Sequence, residues 1–328
     1  MRIFDEFLTW AWVAALVTSL FICSQAGGNY VAYMLNLIFI NAIVAVGLNL
    51  LTGFTGLISL GHAAFVAIGA YGSAILTAKV SLPFWVACPT SAALTGLIGF
   101  VVGLPSLRLT GIYLALVTMA FEFIVDEIIL QLSGLTGGAA GLSVQPPIMA
   151  GISFNSYQSY FFITFSSLAL VLLCAKNLLR GTVGRALMAI RDSETAAEVM
   201  GIHLAWYKTV SFSLSAACAG LAGSLYAHFI LFISPDNFTL FHSIAFIVMI
   251  VVGGLGSISG SVMGALFMTA LPEIISLGKE YLPSAIRNAA GLQAAVYGII
   301  LILFVIFEPR GFRGRWVRIR LWWRTFPL

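Results

Sequence analysis

Apolar residues in this chain do not recur with the spacing of a surface helix or a half-buried strand. They run on in long blocks, parted by short polar or glycine-rich breaks. A helix crosses the hydrocarbon core of a bilayer with about 20 apolar residues. Runs that meet or approach this length occupy 8–24, 31–51, 62–78, 84–103, 111–133, 157–175, 209–232, 242–253, 258–276 and 293–307. The pattern predicts an all-α polytopic membrane protein with about ten spans, forming a single transmembrane domain over 1–328. The run 242–253 reaches only about 18 Å at 1.5 Å per residue. It is expected to be broken, tilted or re-entrant, surrounded by protein or a water-filled cavity. Residues 8–24 have the length of an export signal. The flanking Asp5 and Glu6 beside Arg2 do not make a cationic leader, so a retained first helix is expected.

Composition agrees and excludes a soluble domain. Of 328 residues, 60% are hydrophobic and 9% charged, with a mean hydropathy of +1.04. Soluble domains carry about a quarter charged residues. The net charge of +4 matters through its placement, because Lys and Arg collect on the cytoplasmic side of a membrane protein. With ten spans and a cytoplasmic N-terminus, 13 of the 16 basic residues fall inside, among them Arg2, Arg108, Lys176, Arg180, Arg185, Arg191 and Lys208. Only Lys79, Lys279 and Arg287 fall outside. Both termini are therefore expected in the cytoplasm. The four cysteines, Cys23, Cys88, Cys174 and Cys218, sit inside apolar runs without metal or redox spacing and read as small core residues.

The longest cytoplasmic connection, 176–208, exceeds what joining two spans requires. Its part 185–200, RALMAIRDSETAAEVM, has no glycine or proline and places Ala186, Leu187, Ile190, Ala197 and Met200 on one face. Gly201 follows where a helix C-terminus favours glycine. An amphipathic helix held outside the bilayer is expected, with a plain solvated connector as the alternative. Glycine clusters at 53–61, 134–141 and 253–264. In membranes it permits close helix contact, or breaks a helix so that backbone groups face a cavity. The first and third clusters hold corresponding places in the two halves, a hint of internal duplication.

No catalytic constellation, P-loop or metal spacing is present in the sequence, so no cofactor is expected on this chain and any transport energy comes from a partner or an ion gradient. Candidate pathway residues are the polar groups within apolar runs. Glu122 and Asp126 share a helix face in the fifth run, and charge at that depth is costly unless it meets protein or water. Asn36, Asn41 and Asn49, followed by Thr52, Thr55, Ser59 and His62, form a second polar seam. Of these, Asn49, Thr52, Ser59 and His62 are the candidates for the path. For any single one, fastening neighbouring helices is the plainer role. The basic tail over 308–328, with Trp316, Trp322 and Trp323, reads as an anchor on anionic lipid rather than a nucleic-acid site.

Several segments resemble the M-type (LivM) permease subunits of branched-chain amino-acid ATP-binding-cassette importers. They are GLNLLTGFTGLISLGHAAFVAIGAY (47–71), RLTGIYLALVTMAFEFI (108–124), GLTGGAAGL (134–142), GRALMAIRDSETAAEVMGIHLAWYKTVSF (184–212), SPDNFTLFHSIAFIVMIVVGGLGSISGSVMGALFM (234–268) and IFEPRGF (306–312). The resemblance implies a bacterial inner-membrane importer permease with a broken segment near 53–62 and a cytoplasmic coupling helix on an ATPase. Arg191, Glu194, Thr195, Ala196, Ala197, Glu198 and Gly201 would make that contact. Thr195 stands where the importer motif has glutamate, so Glu194 or Glu198 would supply the charge. Implied partners are an H-type (LivH-like) permease paralogue, two ATPases holding ATP and Mg, and a periplasmic binding protein. Urea, short amides or aromatic acids are alternative cargoes. An ion-gradient-driven secondary transporter, with Glu122 and Asp126 as its ion groups, is the alternative of another class.

Overall fold

The computed structural model describes residues 28–105, 109, 111–149, 152–279, 292–308 and 311–315. The expected first span at 8–24, Arg2, Arg108, Arg287 and the tryptophans of the tail lie outside the described residues. Each of the nine other apolar runs forms a helix. These are α1 (Gly28–Thr55), α2 (His62–Ala78), α3 (Phe84–Gly103), α4 (Ile112–Gln131) and α5 (Tyr157–Arg180) in the first half. Two short helices follow, α6 (Thr182–Asp192) and α7 (Glu194–Val199). The second half holds α8 (Leu204–Ile230), α9 (Leu240–Gly253), α10 (Ile258–Lys279) and α11 (Leu292–Phe307). Six described helices are long and apolar enough to cross a membrane.

Helix α1 is apolar on every side, as a helix in the middle of a bundle must be. Ile43, Leu48 and Leu51 are wholly buried in it. It packs against α5, α8, α9 and α10. Its three asparagines fasten two neighbouring helices. Asn36 donates to the Tyr157 carbonyl at 2.8 Å and accepts from Thr164 at 2.5 Å, both on α5. Asn41 donates to Thr269 on α10 at 2.9 Å. Asn49 donates to the Ser257 carbonyl and to Ser261 Oγ, at 2.9 and 2.7 Å. Apolar side chains on the rim point outward instead, including Leu97 and Val101 of α3, Phe123 and Ile124 of α4, and Leu170 of α5. A surface of that kind suits lipid or another membrane subunit.

Helix α8 approaches α2 so closely that backbone meets backbone. A Cβ on Gly223 would run into the carbonyl of Val66. Lipid tails are as apolar as leucine, so helices here gain from close van der Waals packing and not from hiding apolar area, which favours small residues at crossings. The expectation for 242–253 is met differently from a break. A 3₁₀ turn at Pro235–Phe238, capped by Ser234 and Asn237, extends α9 at its start, and Pro235–Gly253 together reaches crossing length.

The connections sort to two ends. At one, Arg191 reaches Gly53, and Arg313 donates to the Gly256 carbonyl, so the first glycine break, the α6–α7 segment, the α9–α10 turn and the start of the tail meet. At the other, Lys79 donates to the Gly134 carbonyl, and Leu142–Ser143 pairs antiparallel with Phe232–Ile233. The third glycine cluster thus touches the first. The second, 134–141, lies at the opposite end.

The α2–α8 crossing yields a prediction. Gly223→Val forces the helices apart and costs about 1–3 kcal/mol of overpacking. Gly298→Ala, where a Cβ meets nothing within 4 Å, serves as the neutral control. Thermal unfolding in detergent should show a lowered midpoint for the first variant alone.

Candidate functional site

The chain leaves helical geometry at Gly56, whose φ of +80° is the left-handed region that glycine enters without strain. Helix resumes at His62, and several groups around the break are taken up by neighbours. Thr52 Oγ1 donates to the Leu57 carbonyl at 3.0 Å. Leu60 N–H donates to Thr118 Oγ1 of α4 at 2.9 Å. Ala63 N–H donates to Ser243 Oγ of α9 at 2.7 Å. Ser215 on α8 donates to the Gly47 carbonyl at 2.7 Å, so it accepts from His62 Nε2 at 2.8 Å. That fixes the imidazole tautomer and leaves Nδ1 to accept from Ser59 at 3.2 Å. Ser59 and His62 are wholly buried.

Glu122 meets this break from α4. Its Oε2 accepts from the Ser243 hydroxyl at 2.6 Å, so Ser243 links the start of α2 to the carboxylate. Oε1 is buried without a hydrogen-bond partner among the described residues. Glu122 is 4% exposed, and a carboxylate held so deep costs several kcal/mol unless its surroundings compensate. Asp126, one turn further along α4, is half-buried. Thus Asn49, Thr52, Ser59, His62 and Glu122 gather around the break. Asn49 is fully engaged there, since its Oδ1 also accepts from Gly256 N–H at 2.9 Å.

The amphipathic segment departs from the expected single rod over 185–200. It is two helices, parted at Ser193, whose extended backbone ends α6 and whose hydroxyl caps α7 through Ala196 N–H at 3.3 Å. Ala186, Leu187, Ile190 and Ala197 are buried as the pattern predicts, whereas Met200 is 83% exposed beside an equally bare Val199. The kink at Ser193 turns the last residues away from the face that α6 sets. Gly201, at φ +81°, closes α7 as expected: its N–H donates to Glu198 and Ile202 N–H to Ala197. Arg191 and Glu194 turn toward the chain's own helices. Arg191 Nη1 donates to the Gly53 carbonyl at 2.7 Å. Glu194 pairs with the buried Lys208 at 2.7 Å. Thr195, Ala196 and Glu198 remain exposed.

Sequence reasoning missed Thr118, Ser215, Ser243 and Lys208. Each hydroxyl occupies an ordinary position in an apolar run, where serine and threonine commonly bond their own helix, so nothing in the pattern marks it. Among the described residues no group of three or more His, Cys, Asp or Glu side chains is placed to hold a metal ion. The arrangement keeps Ser59 and His62 wholly buried and bonded to each other and to Ser215. It offers a polar seam beside an interrupted helix, and a helical segment with a bare tip attached to it.

Residues 30–305 match the family described as the permease component of branched-chain amino acid transport systems. The chain belongs to this family. The permease is 33% identical over 293 residues to the high-affinity branched-chain amino acid transport system permease protein LivM of Escherichia coli K12, covering 82% of this chain and 66% of that protein. It is 27% identical over 228 residues to the probable branched-chain amino acid transport permease protein LivM of Methanocaldococcus jannaschii, covering 66% of each. With the autoinducer 2 import system permease protein LsrC of Salmonella paratyphi B it shares 27% identity over 184 residues, 55% of this chain and 48% of that one. The permease spans just under two thirds of the length of the LivM relatives. No solved structure matches it.

Glu122→Gln removes the charge at the break while preserving an acceptor for Ser243. Its unfolding midpoint should stay near that of the unaltered permease. Ser243→Ala leaves the Ala63 N–H and the carboxylate unpaired, and should lower stability by about 1–3 kcal/mol.

Proposed function

We propose that this permease works as the membrane subunit of an ATP-driven importer for branched-chain amino acids. In this reading it crosses the inner membrane about ten times as one domain, with both termini in the cytoplasm. The segment 176–208 projects into the cytoplasm and the tail 308–328 rests on anionic lipid. The observation that carries the proposal is the α6–α7 segment. It lies among the basic connections, it is seated on the bundle by Ala186, Leu187 and Ile190, and it ends in two bare apolar side chains, Val199 and Met200. Bare apolar residues at the tip of a charged, well-capped segment fit a pocket on another protein. ATPase subunits would supply that pocket, with ATP and Mg held there. Thr195, Ala196, Glu198 and the Gly201 turn surround the tip. Arg191 and Glu194 stand behind it.

An H-type paralogue would pair with the outward apolar faces, and a periplasmic binding protein would deliver the amino acid. Closure of two ATPases would move the segment as a rigid body, and the spans would rock between outward and inward openings. Asn49, Thr52, Ser59, His62, Glu122 and Asp126 would border the path around the break. Because the binding protein selects, this chain need hold its cargo only weakly. Urea, short amides and aromatic acids are the other cargoes compatible with the same machinery.

The first substitutions of the test lie on the surface and cannot open a core. Val199→Glu and Met200→Glu should abolish copurification of ATPase subunits, or reduce it about tenfold, while the permease inserts normally. Ala197→Trp, at a buried position, should unseat α7 with the same effect. Leucine uptake should require the ATPases and the cognate binding protein. Gradient-driven uptake by the permease alone would overturn the proposal in favour of a secondary transporter.

A further inference from the structure

Arg191 joins three parts of the permease that are far apart in sequence. Its Nη1 donates to the Gly53 carbonyl in the last turn of α1, 138 residues away, at 2.7 Å. Its stem lies along Gly56, where a Cβ would stand 3.6 Å from Cγ. Its guanidinium also lies on Gly256, in the α9–α10 turn, where a Cβ would stand 2.8 Å from Nη1. Gly56 and Gly256 both have positive φ, +80° and +70°. At each, glycine satisfies the turn, and at Gly256 it also leaves room for the guanidinium.

The two turns are themselves bound to each other. Asn49 accepts from Gly256 N–H at 2.9 Å and donates to the Ser257 carbonyl at 2.9 Å. Arg313 takes the Gly256 carbonyl. Arg191 is therefore the residue of α6 hydrogen-bonded to a unit made of the α1 terminus, the helix break and the α9–α10 turn. That unit continues directly to the polar seam: Leu60 and Ala63, just past the break, bond Thr118 of α4 and Ser243 of α9, and Ser243 holds Glu122.

We propose that Arg191 is the pin that carries motion of the α6–α7 segment into the interrupted helix, so that the break and the α9–α10 turn move with it as one body. A guanidinium suits the task. Its planar fork holds a carbonyl in a fixed direction, while its stem packs along the Gly56 turn. A lysine at the same place supplies charge and reach but a single, rotatable point of attachment. Arg191 is a positioning residue: it acts on the path through Gly53, Gly56 and Gly256, and touches no cargo. This deepens the proposed function, because it assumes that an ATPase moves the segment.

The experiment uses the complete transporter, with ATPases and binding protein, reconstituted in liposomes. Arg191→Ala is made at a partly exposed site. It should retain the ATPases and basal ATP hydrolysis, yet lower binding-protein-dependent uptake about tenfold. Arg191→Lys should recover part of that loss. A merely structural role would instead lower assembly, hydrolysis and uptake together, with lysine no better than alanine. Normal uptake by Arg191→Ala overturns the proposal.

Spin labels at Ile58 and Met188, placed with Arg191 intact and the native cysteines replaced, give a second measurement. Their separation should be the same in the resting and vanadate-trapped states. A change in that separation overturns the pin, even where Arg191→Ala fails to assemble. Met200→Glu separates this from the parent reading. If that variant keeps its ATPases and full uptake, the segment is not the ATPase contact, whatever Arg191 does.

Discussion

A buried connection between two helices must hand its freed amide and carbonyl groups to neighbours, because a polar backbone group left unpaired out of water is costly. The gap between Thr55 and His62 does this in several directions at once. Thr118 of α4 takes the Leu60 amide, Ser243 of α9 takes the Ala63 amide, and Arg191 of α6 takes the Gly53 carbonyl. Ser215 of α8, itself bonded to the Gly47 carbonyl inside α1, holds His62 at the far side of the gap. Four elements are thereby located by a single defect. Leaving any of these groups unpaired costs more than the net gain of making the bond, so the arrangement is enforced chiefly by what its absence would cost.

The same constraint explains where polar side chains lie. Asn36, Asn41 and Asn49 sit on the most buried helix, the first bonded to α5 and the other two to α10, so α1 is held in register along its length. Glycine supplies the complementary condition. At the α2–α8 crossing it brings backbones together, and at Gly256 it opens space for Arg191. Hydrogen bonds fix direction and small residues permit approach. In lipid neither suffices alone, since apolar area no longer drives helices together.

Much of this is legible in sequence. The described apolar runs all become helices, since length and hydropathy alone decide that a segment leaves water. The break at 53–62 and the helix end at Gly201 are readable from glycine placement. The Ser193 kink is harder to see. A helical wheel drawn through 185–200 as one rod puts Met200 with Ala197, but Ser193 is a strong N-cap residue and starts a new helix there. That restart leaves Met200 in the open. The partners of Glu122 and His62 are invisible for another reason. Ser243 and Ser215 lie about 120 and 150 residues away, and a serine in an apolar run has a sufficient local use already.

The Ser193 joint also divides labour within the segment. On its near side, α6 is buried through Ala186, Leu187 and Ile190 and bonded through Arg191, so it belongs mechanically to the bundle. On its far side, α7 presents Val199 and Met200 outward, yet it is not loose. Glu194 opens α7 and pairs with Lys208, whose side chain is 2% exposed. An ammonium so deeply buried is severely destabilised without its partner, so Glu194 is held more firmly than a surface ion pair would be. Two separate bonds, one on each side of the kink, thus tie the segment to α1 and to α8. A push on the bare tip meets a stiff element with two attachments, and Lys208 sits near the start of the helix that carries Ser215. Force delivered at Met200 has a continuous bonded route to both sides of the helix break, and a flexible connector of the same length would provide none.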